Sequence, residues 1–180
     1  MKTLAKWSVE DYHQMIDAGI LCDRQVELLA GEIIEMSPES PIHYYTTEEG
    51  TQYLQTLLAS KVHVRFNGPI TLSDSEPEPD IAIVRLPKST YKDHHPYAED
   101  IFWLIEVAKS SLKKDLELKL SIYAQARIEE YWVLDLYQKQ LIVFRNPENN
   151  IYLSQQIINQ GMINSLAFPD IEISVERLLS

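Results

Sequence analysis

The chain has 180 residues, 45% of them hydrophobic and 24% charged, with a formal net charge of −11. This composition excludes a disordered chain, the length suffices for one well-buried core, and no apolar run approaches a membrane span. The acidic balance excludes a broad phosphate-gripping surface, so any contact with nucleic acid has to be local or weak.

The single cysteine, Cys22, cannot form an internal disulfide, and Met-Lys-Thr-Leu-Ala-Lys-Trp7 lacks the apolar core of a signal peptide. Both point to a reducing, cytoplasmic setting. Asp23 and Arg24 beside Cys22 do not suggest a catalytic thiol, so a structural cysteine is expected.

In chain order, Ser8 followed by Asp11 resembles a capping box. Val9, Tyr12, Met15 and Ile16 then repeat at helical spacing, and Gly19 ends the helix. Val26 to Leu29 and Glu32 to Met36 flank Ala30-Gly31 and predict a β-hairpin. After Pro38 and Pro41, residues 42–60 place Tyr45, Tyr53, Leu54, Leu57 and Leu58 at helical spacing. Lys61 to Phe66 alternates and predicts a strand with Val62, Val64 and Phe66 inward. Gly68-Pro69 turns the chain, and the acidic lead Asp74-Ser-Glu-Pro-Glu-Pro-Asp80 enters the strand Ile81 to Val84. Pro87 to Asp100 reads as a polar loop whose His94 and His95 lack ligand spacing.

Ile101 to Ile105 is an unbroken apolar run, the pattern of a strand buried on both faces, and Glu106 follows within it. Ser110 or Ser111 is placed to cap a helix whose apolar stripe is Leu112, Leu116, Leu120 and Tyr123. Glu130 to Leu136, Gln140 to Arg145 and Ile151 to Ile157 predict a meander, with Asn146 to Asn150 as one turn. A short helix is expected at 174–179. The whole, 1–180, reads as one mixed α/β domain.

The chemistry gathers around Glu106. An ionised carboxylate in an apolar strand is costly unless a cation or strong donors meet it. Strand period puts Glu106 on the face of Leu104 and Ala108, with Lys109 on the other side. Lys119 lies beside the apolar stripe of the following helix and has two candidate partners, Asp115 along the helix or Glu106 on the strand. Helical spacing alone leaves these even. Asp80, at the start of a neighbouring strand, adds a second carboxylate. Together they suit an oxygen-ligand site for Mg²⁺ or Mn²⁺.

Pro79-Asp80, then Glu106, then a lysine, each on or beside a core strand, resembles the PD-(D/E)XK nuclease superfamily. More specifically, the chain resembles the Uma-two family of restriction endonuclease-like proteins, over about Trp7 to Leu179. The matching signatures are Val26-Glu27-Leu-Leu-Ala-Gly31-Glu-Ile-Ile-Glu-Met-Ser-Pro38 with His43, Ser75-Glu-Pro-Glu-Pro-Asp80, Ile105-Glu106-Val-Ala with Ser110-Ser-Leu and Asp115, Lys119 with Tyr123-Ala, and Glu130-Tyr-Trp-Val-Leu-Asp135.

The resemblance implies a restriction endonuclease-like core and a metal-dependent endonuclease acting on DNA. It implies Asp80 and Glu106 as ligands of Mg²⁺ (or Mn²⁺), and a homodimer. Glu27 takes the place of an additional acidic site residue, its alternative being an exposed strand carboxylate. Lys119 would replace the lysine that other superfamily members carry two residues after the glutamate, where this chain has Ala108. Lys109, with Lys113 and Lys114, forms a basic cluster that is either a phosphate contact or a solvated helix end. His43 either assists the site or simply begins the second helix. A catalytically inactive binding or assembly module on the same fold is the alternative that the acidic charge suggests.

Overall fold

The computed structural model of the protein describes residues 4–180, so Met1 to Thr3 of the segment read for a signal peptide lie outside the described residues. Helix α1 (Val9–Asp17) starts on the expected capping box, with Ser8 and Asp11 satisfying each other's backbone N–H. It ends where Gly19 turns to φ +71°: the Gly19 N–H donates to Ile16 and the Ile20 N–H to Met15, closing the last carbonyls. Strands β1 (Val26–Leu29) and β2 (Glu32–Glu35) form the hairpin, turning on Ala30 and Gly31, both at positive φ. A Cβ on Gly31 would also meet Lys6 at 3.0 Å, so only glycine suits this turn.

Helix α2 (Pro41–Leu57) is capped by Ser40 and starts on a proline. It is followed by β3 (His63–Phe66), β4 (Ile81–Val84) and β5 (Ile101–Ala108). The segment between β4 and β5, expected as plain loop, contains two short 3₁₀ turns, Lys88–Lys92 and Ala98–Asp100.

The predicted helix after β5 is interrupted. It consists of α3 (Leu112–Lys114), a π turn (Asp115–Lys119) and α4 (Leu120–Gln125). The Leu120 N–H donates to the Asp115 carbonyl five residues back, so the turn carries an extra residue and the side-chain register shifts. The expected stripe of Leu112, Leu116, Leu120 and Tyr123 still packs against the sheet. The three leucines are half-buried, while Asp115, Lys119, Ile122 and Tyr123 are fully buried. Nor does Ser111, the residue before α3, cap the helix with its side chain; its carbonyl accepts from the Asp115 N–H.

Strands β6 (Glu130–Asp135), β7 (Gln140–Glu148) and β8 (Ile151–Ile158) form the meander. β7 runs three residues further than expected and its hairpin turn shrinks to Asn149-Asn150, because Pro147 keeps its place opposite Tyr152 instead of breaking the strand. Two short strands, β9 (Met162–Ile163) and β10 (Ile173–Ser174), and α5 (Val175–Leu178) complete the chain.

Six strands pair in the order β3-β4-β5-β6-β7-β8, antiparallel except for β5 and β6. Parallel neighbours need a crossover, and the α3–α4 segment supplies it. One sheet face carries Ile81, Ile83, Trp103, Ile105 and Trp132 under Leu54 and Leu58 from the α2 end and Val175 and Leu178 of α5. The other carries Ala82, Leu104, Tyr131 and Val133 under Ile122 and Tyr123 of α4. This is the mixed α/β architecture that the sequence implies, with the central strands β4, β5 and β6 buried on both faces.

One buried carboxylate is purely structural. Glu130 accepts from Trp132, Arg145 and the Leu166 N–H, tying β6, β7 and the C-terminal segment. Among the described residues, no helix is long and apolar enough to cross a membrane. Cys22 is free and exposed, which corrects the expectation of a structural residue. Because Leu54 seats α2 on the sheet, Leu54→Ala should cost about 2–5 kcal/mol in urea unfolding. A loss below about 1 kcal/mol would contradict that seating.

Candidate functional site

Antiparallel register builds the centre of the site. Ile81 stands opposite Ile105 and Ala82 opposite Leu104, so Asp80, one residue before β4, falls beside Glu106 on β5. Asp80 is locked there, its Oδ2 accepting from the Val107 N–H at 2.6 Å. Two prolines in the lead to β4 leave that segment free to run beside the hairpin instead of extending the strand. The Glu76 N–H donates to the Leu28 carbonyl and the Ala30 N–H donates to the Ser75 hydroxyl. Glu27 on β1 is thereby brought against the site and, at 1% exposure, is not the exposed strand residue of the alternative.

Lys119 selects the second of its two candidate partners. Its ammonium donates to Glu106 Oε1 at 2.9 Å and lies 3.5 Å from Glu27 Oε2, with the Glu78 carbonyl at 3.4 Å. The Tyr123 hydroxyl donates to the same Glu106 oxygen at 2.7 Å. Glu27 also takes the Glu78 N–H at 3.2 Å and Lys114 at 2.8 Å. Lys114 therefore leaves the expected basic cluster, its ammonium being paired with Glu27 on the hairpin. Lys109 and Lys113 stay exposed. The side chains anticipated from the sequence, Glu27, Asp80, Glu106 and Lys119, thus meet at one place.

Electrostatics sorts their protonation. Burial raises the Glu106 carboxyl well above its ordinary value of 4.5, against the pull of Lys119. Burial alone would lower Lys119, but Glu106, Glu27, Asp115 and Asp80 together outweigh it and raise the pKa, so Lys119 is the member that stays charged. Glu27 moves the other way: burial opposes ionisation, yet Lys119 and Lys114 bring its pKa below 4.5. Glu106, Glu27, Asp115 and Asp80 all act on Lys119, and Lys114 brings a second ammonium to Glu27.

A cleft of about 900 Å³ opens on this centre. Glu39, His43, Glu78, Lys109, Lys113 and Tyr137 are among the residues that line it. His43 does more than begin α2. Its Nε2 is 3.3 Å from Asp80 Oδ2 and its Nδ1 3.9 Å from Glu39 Oε1. Burial lowers the imidazole pKa, but bonding to Asp80 and the charges of Asp80 and Glu39 raise it on balance. One ligand atom each from Glu39, His43 and Asp80 lie within 4.8 Å of one another. Glu39 carries no signal in the local sequence, while Tyr123 stands there only as a member of the apolar stripe and of a family signature, and packing of α4 on the sheet brings its hydroxyl to Glu106.

A family model described as "Uma2: Putative restriction endonuclease" matches residues 9–176. No curated protein matches the chain significantly. Among solved structures, the chain is similar to one described as a "putative nuclease belonging to DUF820" from Anabaena variabilis. The TM-score is 0.65 with 15% identity over 86% of this chain and 89% of that one, a likeness that speaks to fold alone.

Two measurements check the charge arrangement. Replacing the central cation by Lys119→Met leaves buried carboxylates unanswered and should cost about 3–5 kcal/mol at neutral pH in denaturant unfolding. Because the folded pKa of Glu27 is depressed, its contribution is present above pH 4.5 and is lost as pH falls through the folded value. Glu27→Gln should therefore flatten the acid arm of the stability curve below pH 4.5, and an unchanged slope would disprove the pairing.

Proposed function

As the chain belongs to the Uma2 family, we propose that it is a metal-dependent endonuclease, hydrolysing phosphodiester bonds of DNA within a single endonuclease-like domain. The observation that carries this is the pair Asp80 and Glu106, opposed on adjacent strands at a cleft and backed by a buried, charged Lys119. Hydrolysis adds the oxygen of water to phosphorus and breaks the bond to one ester oxygen, which leaves with a proton as a hydroxyl.

The donor set fits a divalent cation. Carboxylate oxygens suit Mg²⁺ or Mn²⁺. Asp80 and Glu106 would hold it. Both hydrogen bonds on Glu106 fall on Oε1, which leaves Oε2 for a ligand. Bound there, such an ion supplies Lewis acidity toward a phosphoryl oxygen and toward water.

The protein's own groups divide the remaining work. Lys119 has a raised pKa and keeps its proton, so it does not act as a base. It faces the charge that grows on the phosphoryl oxygens and orients Glu106. Glu27, with its oxygens committed to Lys114, Lys119 and the Glu78 N–H, is a positioning residue for the lysine. Lys109 and Lys113 are the exposed cations of the cleft and receive the flanking phosphates, a local contact that suits the chain's acidic charge. The assembly we propose is a homodimer.

Purified protein with Mg²⁺ or Mn²⁺ should nick supercoiled plasmid, and Asp80→Ala should lower the rate at least about 100-fold. Equal nicking by the variant would remove the site assignment. Wild-type protein that neither nicks nor binds either ion calorimetrically near millimolar metal would identify an inactive binding module instead.

A further inference from the structure

Helix α2 approaches the site with a nitrogen donor. Ser40 caps the helix, so Glu39 sits just before it and His43 in its first turn, four residues apart on one side. The imidazole lies between two carboxylates, Nε2 at 3.3 Å from Asp80 and Nδ1 at 3.9 Å from Glu39. Two ligands held at about 2.2 Å by one ion are no more than about 4.4 Å apart. The observed limit of 4.8 Å for all three donors is thus within a small adjustment of a coordination shell.

A second observation comes from Asp115. Asp115 is only 2% exposed and lines the same cleft, yet its Oδ2 is buried with no hydrogen-bond partner. The Nδ1 of His43 is likewise buried and unpartnered. Buried polar atoms left without partners are uncommon and call for an explanation such as a bound ion or water. Glu106, by contrast, has one oxygen fully engaged by Lys119 and Tyr123.

We infer that His43 and Glu39 are coordinating residues alongside Asp80, and that this imidazole makes the site selective for Mn²⁺ over Mg²⁺. The inference rests on the metal-dependent reading above and adds to it the donors and the ion they select. Mg²⁺ binds oxygen ligands in strict octahedral geometry and dehydrates reluctantly, whereas imidazole suits the transition metals. A purely structural role for His43, hydrogen-bonding Asp80, would leave the ion with oxygen ligands only.

Pulsed electron paramagnetic resonance of the wild-type protein loaded with Mn²⁺ separates these cases without any turnover. Nitrogen-14 modulation of the imidazole type is expected, absent in His43→Ala. In calorimetry, Mn²⁺ affinity should fall at least about tenfold in His43→Ala and in Glu39→Gln, with Mg²⁺ affinity changing less. Tight Mn²⁺ binding with no nitrogen modulation would overturn the inference and leave the metal-dependent reading standing. No Mn²⁺ binding by the wild-type protein near millimolar metal would overturn both. Since the spectrum is taken on the wild-type chain, a variant that fails to fold does not blunt the test.

Discussion

Glu106 sits in the middle of a sheet where no water reaches it freely, and everything around it answers that fact. A carboxylate at 3% exposure needs a cation, and the chain supplies Lys119 from the crossover that β5 and β6 require in any case. That ammonium then draws Glu27 from the hairpin and the Glu78 carbonyl from the lead into β4. Segments distant in sequence are gathered on one nitrogen atom. Such a cluster adds little net stability once desolvation is counted. The core of Trp103, Trp132, Ile81 and Leu54 carries the folding free energy, and the charged cluster is held in place by it.

The balance of charge at the centre also bears on how an acidic protein meets a polyanion. Lysines are present, yet two of those nearest the centre, Lys114 and Lys119, are committed to carboxylates inside it. Lys109 and Lys113 remain facing the cleft. The chain's net charge of −11 disfavours long-range attraction of a polyanion.

Much of this was legible in the residues, and the gaps have physical causes. Runs such as Ile81 to Val84 and Ile101 to Ile105 announce strands because nothing polar interrupts them. The capping box at Ser8 and the Ala30-Gly31 turn are local chemistry and appear where local chemistry places them. Pairing is a different matter: that Asp80 stands beside Glu106 follows from strand register, a long-range fact. Spacing could offer Lys119 two partners without choosing, because the choice depends on the depth of the helix against the sheet. Lys114 was grouped with its sequence neighbours, and its ion pair with Glu27, far away in the chain, separates it from them. His43 was visible as a histidine after a proline, but its closeness to Asp80 comes from the packing of α2, which no local pattern encodes. Asn146 to Asn150 read as one turn, and Asn146, Pro147 and Glu148 instead extend a strand.

The π turn sets the lysine's position by counting. An α-helix advances each residue by about 100° around its axis, so one residue more or fewer between Ser111 and Lys119 rotates everything beyond it by that angle. Asp115 to Lys119 contains the one extra residue that points both Lys119 and Tyr123 at Glu106. In evolutionary terms, a single-codon insertion or deletion in that turn is a larger change to this centre than most substitutions. A lysine lost from the strand can be regained from the helix by such a step, with the sheet, its register and its two carboxylates untouched.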